Sequence, residues 1–153
     1  MSIQFDKFQI FPPEKISLII YDIDDFKSYI DHYSHVQGDR TLKLISERAI
    51  GVLNSPEQYL FRFGGEEFVA LLPNVSESEA TLIAVEMLKA IRSAEIFRDD
   101  LPGQSIVTAS FGVAEGTKEE LSDLSLFVKA DKQLYAAKNG GKNSVAANNV
   151  IHN

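Results

Sequence analysis

Two groups of carboxylates, far apart in the chain, are of a type and spacing that could do chemistry. Asp22, Asp24 and Asp25 follow directly on the apolar run Ile16-Ser-Leu-Ile-Ile-Tyr21, and Glu66 and Glu67 follow the pair Gly64-Gly65. Acids gathered at one place repel unless a cation stands between them. Hard divalent ions such as Mg²⁺ or Mn²⁺ take oxygen ligands and keep water or substrate phosphate in their shell. Such a site can clamp a triphosphate and activate a hydroxyl for in-line attack. Taken singly, each aspartate suits a solvated turn or a helix cap. Chemistry is indicated by the combination of Asp22 at a strand end with a Gly-Gly-Glu-Glu tip, where glycines let a ligand come close to the backbone.

Three further features suit phosphate. A helix starting near Asp25–Phe26 offers free backbone N–H groups to an anion. Lys27 lies in its first turn, where a cation opposes the helix dipole unless it has an anionic partner. Lys138 and Lys142 flank Asn139-Gly140-Gly141. By themselves these two lysines equally suit compensation of a helix C-terminus.

The elements that must position these residues follow from periodicity. Residues 16–21 read as a buried strand, Phe26 to Tyr33 as a helix, and Asp39 to Leu53 as a second helix with Leu42, Ile45, Ala49 and Val52 on one face. Residues 59–63 and 67–72 read as two strands of a hairpin around Gly64-Gly65. Ser76-x-x-Glu79 has capping-box spacing. The helix behind it runs to about Ser93, with Leu82, Val85, Leu88 and Ile91 as its apolar face. Arg98 to Gly103 reads as loop, Ser105 to Ala114 as a strand and Glu119 to Asn139 as one last helix. Ser144–Ala147 reads as a short final strand, and 148–153 as a disordered tail. The order β-α-α-β-β-α-β-α-β predicts an α/β (α+β) sandwich with a mostly antiparallel central sheet flanked by helices.

The chain has 153 residues, 44% hydrophobic and 24% charged, which suits one globular domain. The absence of Cys excludes a disulfide scaffold, a zinc ribbon and a thiol nucleophile. A net charge of −7 argues against a nucleic acid polymer as partner. It leaves small phosphorylated ligands open, because a bound metal reverses the local field. No apolar run reaches the length of a membrane span and Met1–Lys7 has no signal pattern, so the expectation is a soluble, cytoplasmic domain.

Phe61-Arg-Phe-Gly-Gly-Glu-Glu-Phe-Val-Ala-Leu-Leu-Pro73 closely resembles the signature hairpin of the GGDEF family, the bacterial diguanylate cyclases. Asp22-Ile-Asp-Asp-Phe-Lys27 resembles the family's Asp-x-Asp-x-Phe-Lys segment, and His32-Tyr-Ser-His-Val-Gln-Gly-Asp39 its Tyr-Gly-His-x-x-Gly-Asp stretch. Thr108–Ala114 and Ala130–Asn143 are similar to its closing strand and helix. These motifs cover about residues 16–147, leaving 1–15 as a lead segment. The resemblance implies a nucleotide-cyclase or polymerase palm fold. It also implies condensation of two GTP into cyclic di-GMP and pyrophosphate, by a homodimer with one GTP and about two Mg²⁺ or Mn²⁺ ions per site. By position it implies Asp22, the Ile23 carbonyl and Glu66 as metal ligands. Glu67 would complete that set or help deprotonate the attacking hydroxyl. Lys27, the amides near Asp25 and Phe26, Lys138 and Lys142 would hold phosphates, and Asp39 would accept from guanine. Gly64, Gly65 and Phe68 belong to the signature hairpin.

The chain departs from the family in several places. Ile30 stands where an Asn usually reads guanine, which puts base choice in question. Met1–Lys15 lacks the family's Asp-x-Leu-Thr-Gly-Leu-x-Asn-Arg-Arg motif, which implies a more open pocket. Ser34 replaces a usual Gly. Lys142 replaces a usual Arg and loses its bidentate fork. Ser55-Pro-Glu-Gln58 replaces the product-inhibition Arg-x-x-Asp, so no feedback binding is expected there. His35 and Tyr135 read as structural, Tyr135 packing with Leu134. Beside the cyclase stand two alternatives: a GGDEF-like module that binds a nucleotide or a protein without turnover, and a palm-type synthase of other cyclic or linear oligonucleotides.

Overall fold

The computed structural model describes residues 15–153. Its elements are β1 (Ile16–Ile23), α1 (Phe26–Tyr33), α2 (His35–Ile50), β2 (Tyr59–Gly64), β3 (Glu67–Pro73), α3 (Glu77–Ser93), β4 (Ala109–Gly116), α4 (Lys118–Ser122), α5 (Ser125–Asn139), β5 (Val145–Ala147) and β6 (Val150–His152). The strands form one sheet in the order β2-β3-β1-β4-β5-β6. Every pairing is antiparallel except that of β4 with β5. The expected sandwich with a mostly antiparallel sheet is borne out.

Strand period 2 divides the core into two layers. Ile16, Leu18 and Ile20 of β1, with Val69 and Leu71 of β3, pack against Leu121, Leu126, Ala130 and Leu134 of α4 and α5. The alternate residues Ile19, Tyr21, Ile23, Phe68, Ala70 and Leu72 join α1, α2 and α3 on the other face. A strand buried on both sides is apolar along nearly its whole length, which is why residues 16–21 read as an apolar run; the one polar residue in that run, Ser17, is buried and donates to Val75 O at 2.6 Å. Gly112 of β4 allows α5 its close approach: a Cβ there would stand 2.2 Å from Leu134 N and 2.3 Å from Ala130 O.

Several local expectations are corrected. Residues 148–153 are not a disordered tail. Asn148 and Asn149 both adopt left-handed backbone (φ 49° and 61°), the geometry of a two-residue hairpin turn, and β6 pairs with β5. Asn149 N donates to Gln133 Oε1 at 2.9 Å, tying the turn to α5. The last helix is two, broken at Leu124 (φ 69°). Thr117 and Glu120 cap α4 reciprocally, and Asp123 accepts from Ser125 N at 2.9 Å where α5 begins. Helix α2 begins at His35 rather than Asp39. Strand β4 begins at Ala109 rather than Ser105, because Val107 N turns to Ile96 O (2.8 Å) and Thr108 O takes Asp24 N (3.0 Å). On α3 the buried face is Ala80, Thr81, Ala84, Met87, Leu88 and Ile91, while Leu82 is exposed. Tyr135 is exposed and not core, although Leu134 is buried. The 1–15 lead segment lies outside the described residues except for Lys15.

Candidate active site

The two-sided alternation of β1 carries Asp22 onto the same face as Leu18 and Ile20, at the C-terminal end of this central strand and beside α5. In β3, Glu67 has the parity of Val69 and Leu71, and it pairs directly with Asp22 across the ladder. Residues opposite each other in an antiparallel pair bring their Cβ atoms to about 4.5–5.5 Å, so two acids separated in sequence lie side by side. Gly64-Gly65 makes the turn just ahead. Gly65 has φ 50°, a conformation that favours glycine, and nothing lies within 4 Å of the place a Cβ would take. Arg62 Nε donates to Gly65 O at 2.6 Å and braces the turn. Glu66 is half-buried beside it, and Phe68 stacks on Tyr21 at 5.0 Å to fix the hairpin on the core.

The electrostatics are those of crowded carboxylates. Burial pushes the Asp22 carboxyl up, Lys138 opposes this, and Glu66 and Asp24 add to it. Burial also pushes Glu67 up, reinforced by Asp131 and Asp22. Lys138 Nζ donates to Asp22 Oδ2, and Lys142 Nζ pairs with Asp25 Oδ1 at 2.7 Å. Both lysines therefore reach the acid loop from the end of α5.

Among the described residues no three His, Asp or Glu side chains form a preformed metal cage. The donor set nevertheless fits a hard divalent ion. Asp22 and Glu67 carry carboxylates on neighbouring strands and Glu66 carries one in the turn beside them; their mutual repulsion is what a cation relieves, and such an ion completes its shell with water and phosphate.

Asp24 is the acid that sequence reasoning left without a role. It is buried at 2% exposure and accepts from Ser110 Oγ (2.6 Å), Thr108 Oγ1 (2.7 Å) and Asn143 N (3.0 Å). It thereby pins the acid loop to β4 and to the turn that carries Lys142. Arg98 and Asp100, read only as loop, pack behind the same turn as a fully buried ion pair. No local pattern flags their role, since the groups they hold, the Asp24 and Asp25 carbonyls and the Ser28 hydroxyl, lie more than seventy positions away.

Asp25 precedes α1 with left-handed backbone (φ 52°). Phe26 places its ring in the core, and its amide lies at the helix start. Lys27 is exposed on the first turn and forms no ion pair among the described residues. Asp39 is exposed on α2 and lines a cleft of about 470 Å³ with Leu42, Lys43, Phe61 and Arg62. Ile30 is half-buried and directed at α2: a Cβ on Gly38 would meet its Cγ1 at 2.9 Å. His35 is exposed at the start of α2. Thus Asp22, Asp25, Glu67, Lys138 and Lys142 come together. Lys27 forms no ion pair with the acids among the described residues, and Asp39 lies in the cleft between α2 and β2.

The family description "Diguanylate cyclase, GGDEF domain" matches residues 4–144. The chain belongs to the GGDEF family. The match takes in most of the stretch ahead of Ile16. Diguanylate cyclase VdcA of Vibrio cholerae is 37% identical over 134 residues, 86% of this chain and 39% of that protein. An uncharacterised membrane protein of Staphylococcus haemolyticus is 31% identical over 142 residues, 90% of this chain and 38% of that protein. The GGDEF domain of DgcB from Caulobacter crescentus, solved in complex with c-di-GMP, superposes with a TM-score of 0.77 at 30% identity, over 93% of this chain and 82% of that one. The chain spans about two-fifths of the length of the two curated relatives (39% and 38%). The palm-like fold expected of a GGDEF domain is borne out. Among the described residues no helix is long and apolar enough to cross a membrane.

Proposed function

We propose that this GGDEF domain is a metal-dependent nucleotidyl cyclase that condenses two GTP into cyclic di-GMP with release of pyrophosphate. The observation that carries the reading is the side-by-side placement of Asp22 and Glu67, next to a bare glycine turn and under Lys138 of α5 and Lys142 of the turn that follows it.

Asp22, Glu66, Glu67 and the Ile23 carbonyl would hold Mg²⁺ or Mn²⁺. When bound, that ion neutralises phosphate charge and favours ionisation of a hydroxyl. Lys138 and Lys142 reach the triphosphate as point charges, and the Asp25 and Phe26 amides donate to it from the start of α1. Lys27 adds charge from the first turn. The 3′-hydroxyl oxygen of one nucleotide attacks the α-phosphorus of the other. A new P–O bond forms, the Pα–O bond to the β-phosphate breaks, pyrophosphate leaves and Glu67 accepts the hydroxyl proton. The reaction occurs twice, once in each direction. One copy supplies one acid cluster and one nucleotide, so two copies face each other as a homodimer. GTP as substrate places the work in the cytoplasm.

Base choice is the part of this reading that Ile30 alters. Asp39 accepts from the guanine edge in the cleft, while Ile30 packs towards Gly38 and offers no polar atom. A relaxed preference between purines is the second reading, motivated by that packing alone.

Mass spectrometry of products tests both readings, after incubation with GTP, ATP or both, with Mg²⁺ or Mn²⁺ and with Glu66→Ala as blank. Cyclic di-GMP from GTP alone is the expected result. An adenine-containing or linear product moves the reading to the relaxed or palm-type synthase. GTP binding without product moves it to a non-catalytic module.

A further inference from the structure

Arg98 is fully buried and lies more than seventy positions beyond the acid loop it touches. Its Nη1 donates to the Asp24 carbonyl at 2.8 Å and its Nη2 to the Asp25 carbonyl at 2.9 Å. The rest of its fork is taken by Asp100, with Nε to Oδ1 at 2.7 Å and Nη2 to Oδ2 at 2.5 Å. Asp100 Oδ2 also accepts from Ser28 Oγ, in the first turn of α1, at 2.7 Å. The guanidinium lies 5.5 Å from the Tyr29 ring centroid. The Arg98 backbone is anchored in turn, its N–H donating to Ser105 O at 3.0 Å.

The direction of these bonds has a consequence. A peptide unit is planar and trans, so its C=O and the following N–H point opposite ways. Fixing the Asp24 carbonyl aims the Asp25 N–H away from Arg98, and fixing the Asp25 carbonyl aims the Phe26 N–H likewise. These two amides precede or open α1 and have no intrahelical acceptor. Asp25 holds its left-handed backbone with no side-chain cap; the Asp24 carboxylate ties the turn to Ser110, Thr108 and Asn143, and Arg98 is the side chain that holds its two carbonyls. A lysine could not replace the guanidinium, which bonds two carbonyls and a carboxylate in one plane.

We propose that Arg98, held by Asp100, is a positioning residue that sets the Asp24–Phe26 turn, aiming its amides at the phosphates of the bound nucleotide. This rests on the nucleotide-binding reading above and adds a determinant from a loop between α3 and β4. Arg98 touches no substrate and acts only through the turn.

The test compares wild type with Arg98→Lys and the milder Ser28→Ala. It reads amide hydrogen exchange in the free protein, affinity for a fluorescent GTP analogue with Mg²⁺, and kcat and KM for GTP. In Arg98→Lys, exchange across residues 24–29 is expected to rise at least tenfold, with β1, β3 and β4 protected as in wild type. Analogue affinity is expected to fall about tenfold, with the loss in KM larger than the loss in kcat. Ser28→Ala is expected to move the same quantities less. Should Arg98→Lys fail to fold, Ser28→Ala carries the test. Exchange that rises evenly over the whole sheet, or unchanged exchange and affinity, overturns the proposal. A wild type that binds the analogue but makes no product overturns the cyclase reading, while exchange and affinity still decide the role of Arg98. A wild type that does not bind the analogue overturns both.

Discussion

Lys138 Nζ donates to Asp22 Oδ2 across 116 positions of sequence, joining the end of α5 to the end of β1. The pair is half-exposed on the lysine side, at 36%, and more enclosed on the aspartate side, at 15%. Burial nonetheless outweighs the lysine and leaves the Asp22 carboxyl raised. The ammonium therefore only partly offsets the charge at the site. Lys138→Met is expected to lower kcat/KM for GTP by about 10–100-fold. Steady-state kinetics at saturating Mg²⁺ checks this, and an effect under twofold removes Lys138 from phosphate binding.

Glu67 allows a prediction whose sign depends on pH. Its carboxyl is pushed up by burial first and by Asp131 and Asp22 next. A carboxyl raised above its unfolded value stabilises the fold in its protonated form, fully below the unfolded value, and that gain is lost as pH rises through the folded value. Glu67→Gln should therefore raise Tm by about 1–3 °C at pH 7.5, a modest shift because the group is partly solvated. The gain should fade towards pH 4. Turnover should fall by about a thousandfold or more, as for loss of a group that handles charge in the transition state. Thermal unfolding at the two pH values and the product assay read the two halves separately.

Asp100 has the opposite sign. Hydrogen bonds from Arg98, then from Ser28, hold its carboxyl far below the usual carboxylate range. Its stabilising contribution is complete above the unfolded value of about 3.9 and is lost as pH falls towards the folded value. Removing one partner of a buried pair costs about 3–5 kcal/mol. Asp100→Ala should cost about that much in urea unfolding at pH 7, and less at pH 3. An equal cost at both pH values would show that packing, not charge, is lost.

Gly112→Ala should be severe. The added methyl meets α5 backbone atoms at 2.2 and 2.3 Å, and backbone cannot rotate away as a side chain can. Helix α5 must lift off β4, at a cost of about 3 kcal/mol or more, and Lys138 and Lys142 move with it. Circular dichroism melting together with GTP affinity distinguishes this from a local effect: both should fall together.

Ser34 offers a stabilising change. It caps α2 through Gln37 N at 3.3 Å but holds φ 109°, a conformation strained for any residue with a Cβ. Ser34→Gly gives up a cap at a cost of a few tenths of a kcal/mol and relieves strain of about 1 kcal/mol or more. A rise in Tm of about 2–4 °C is expected, and a fall would mean that the cap outweighs the strain.

What could be read from the sequence alone is what neighbouring residues encode. The β1 run, the Gly64-Gly65 turn, the Ser76 cap and the helical spacing of Leu42, Ile45 and Ala49 are local patterns, and they brought the fold class and the acid motifs with them. The same locality explains the errors. The Leu124 break and the Asn148-Asn149 turn depend on left-handed residues other than glycine, for which composition gives only a weak signal. The alternation in Ser105–Thr108 suggested a strand, yet those residues bond to Ile96, Arg98 and Asp24 instead. Tertiary structure alone decided that Asp22 lies opposite Glu67, that Asp24 is a buried anchor, that Lys138 reaches one acid and Lys142 another, and that Arg98 stands behind the turn. Each of these contacts closes a loop of dozens of residues. Its free energy is set by sheet register and burial, which no short stretch of sequence contains.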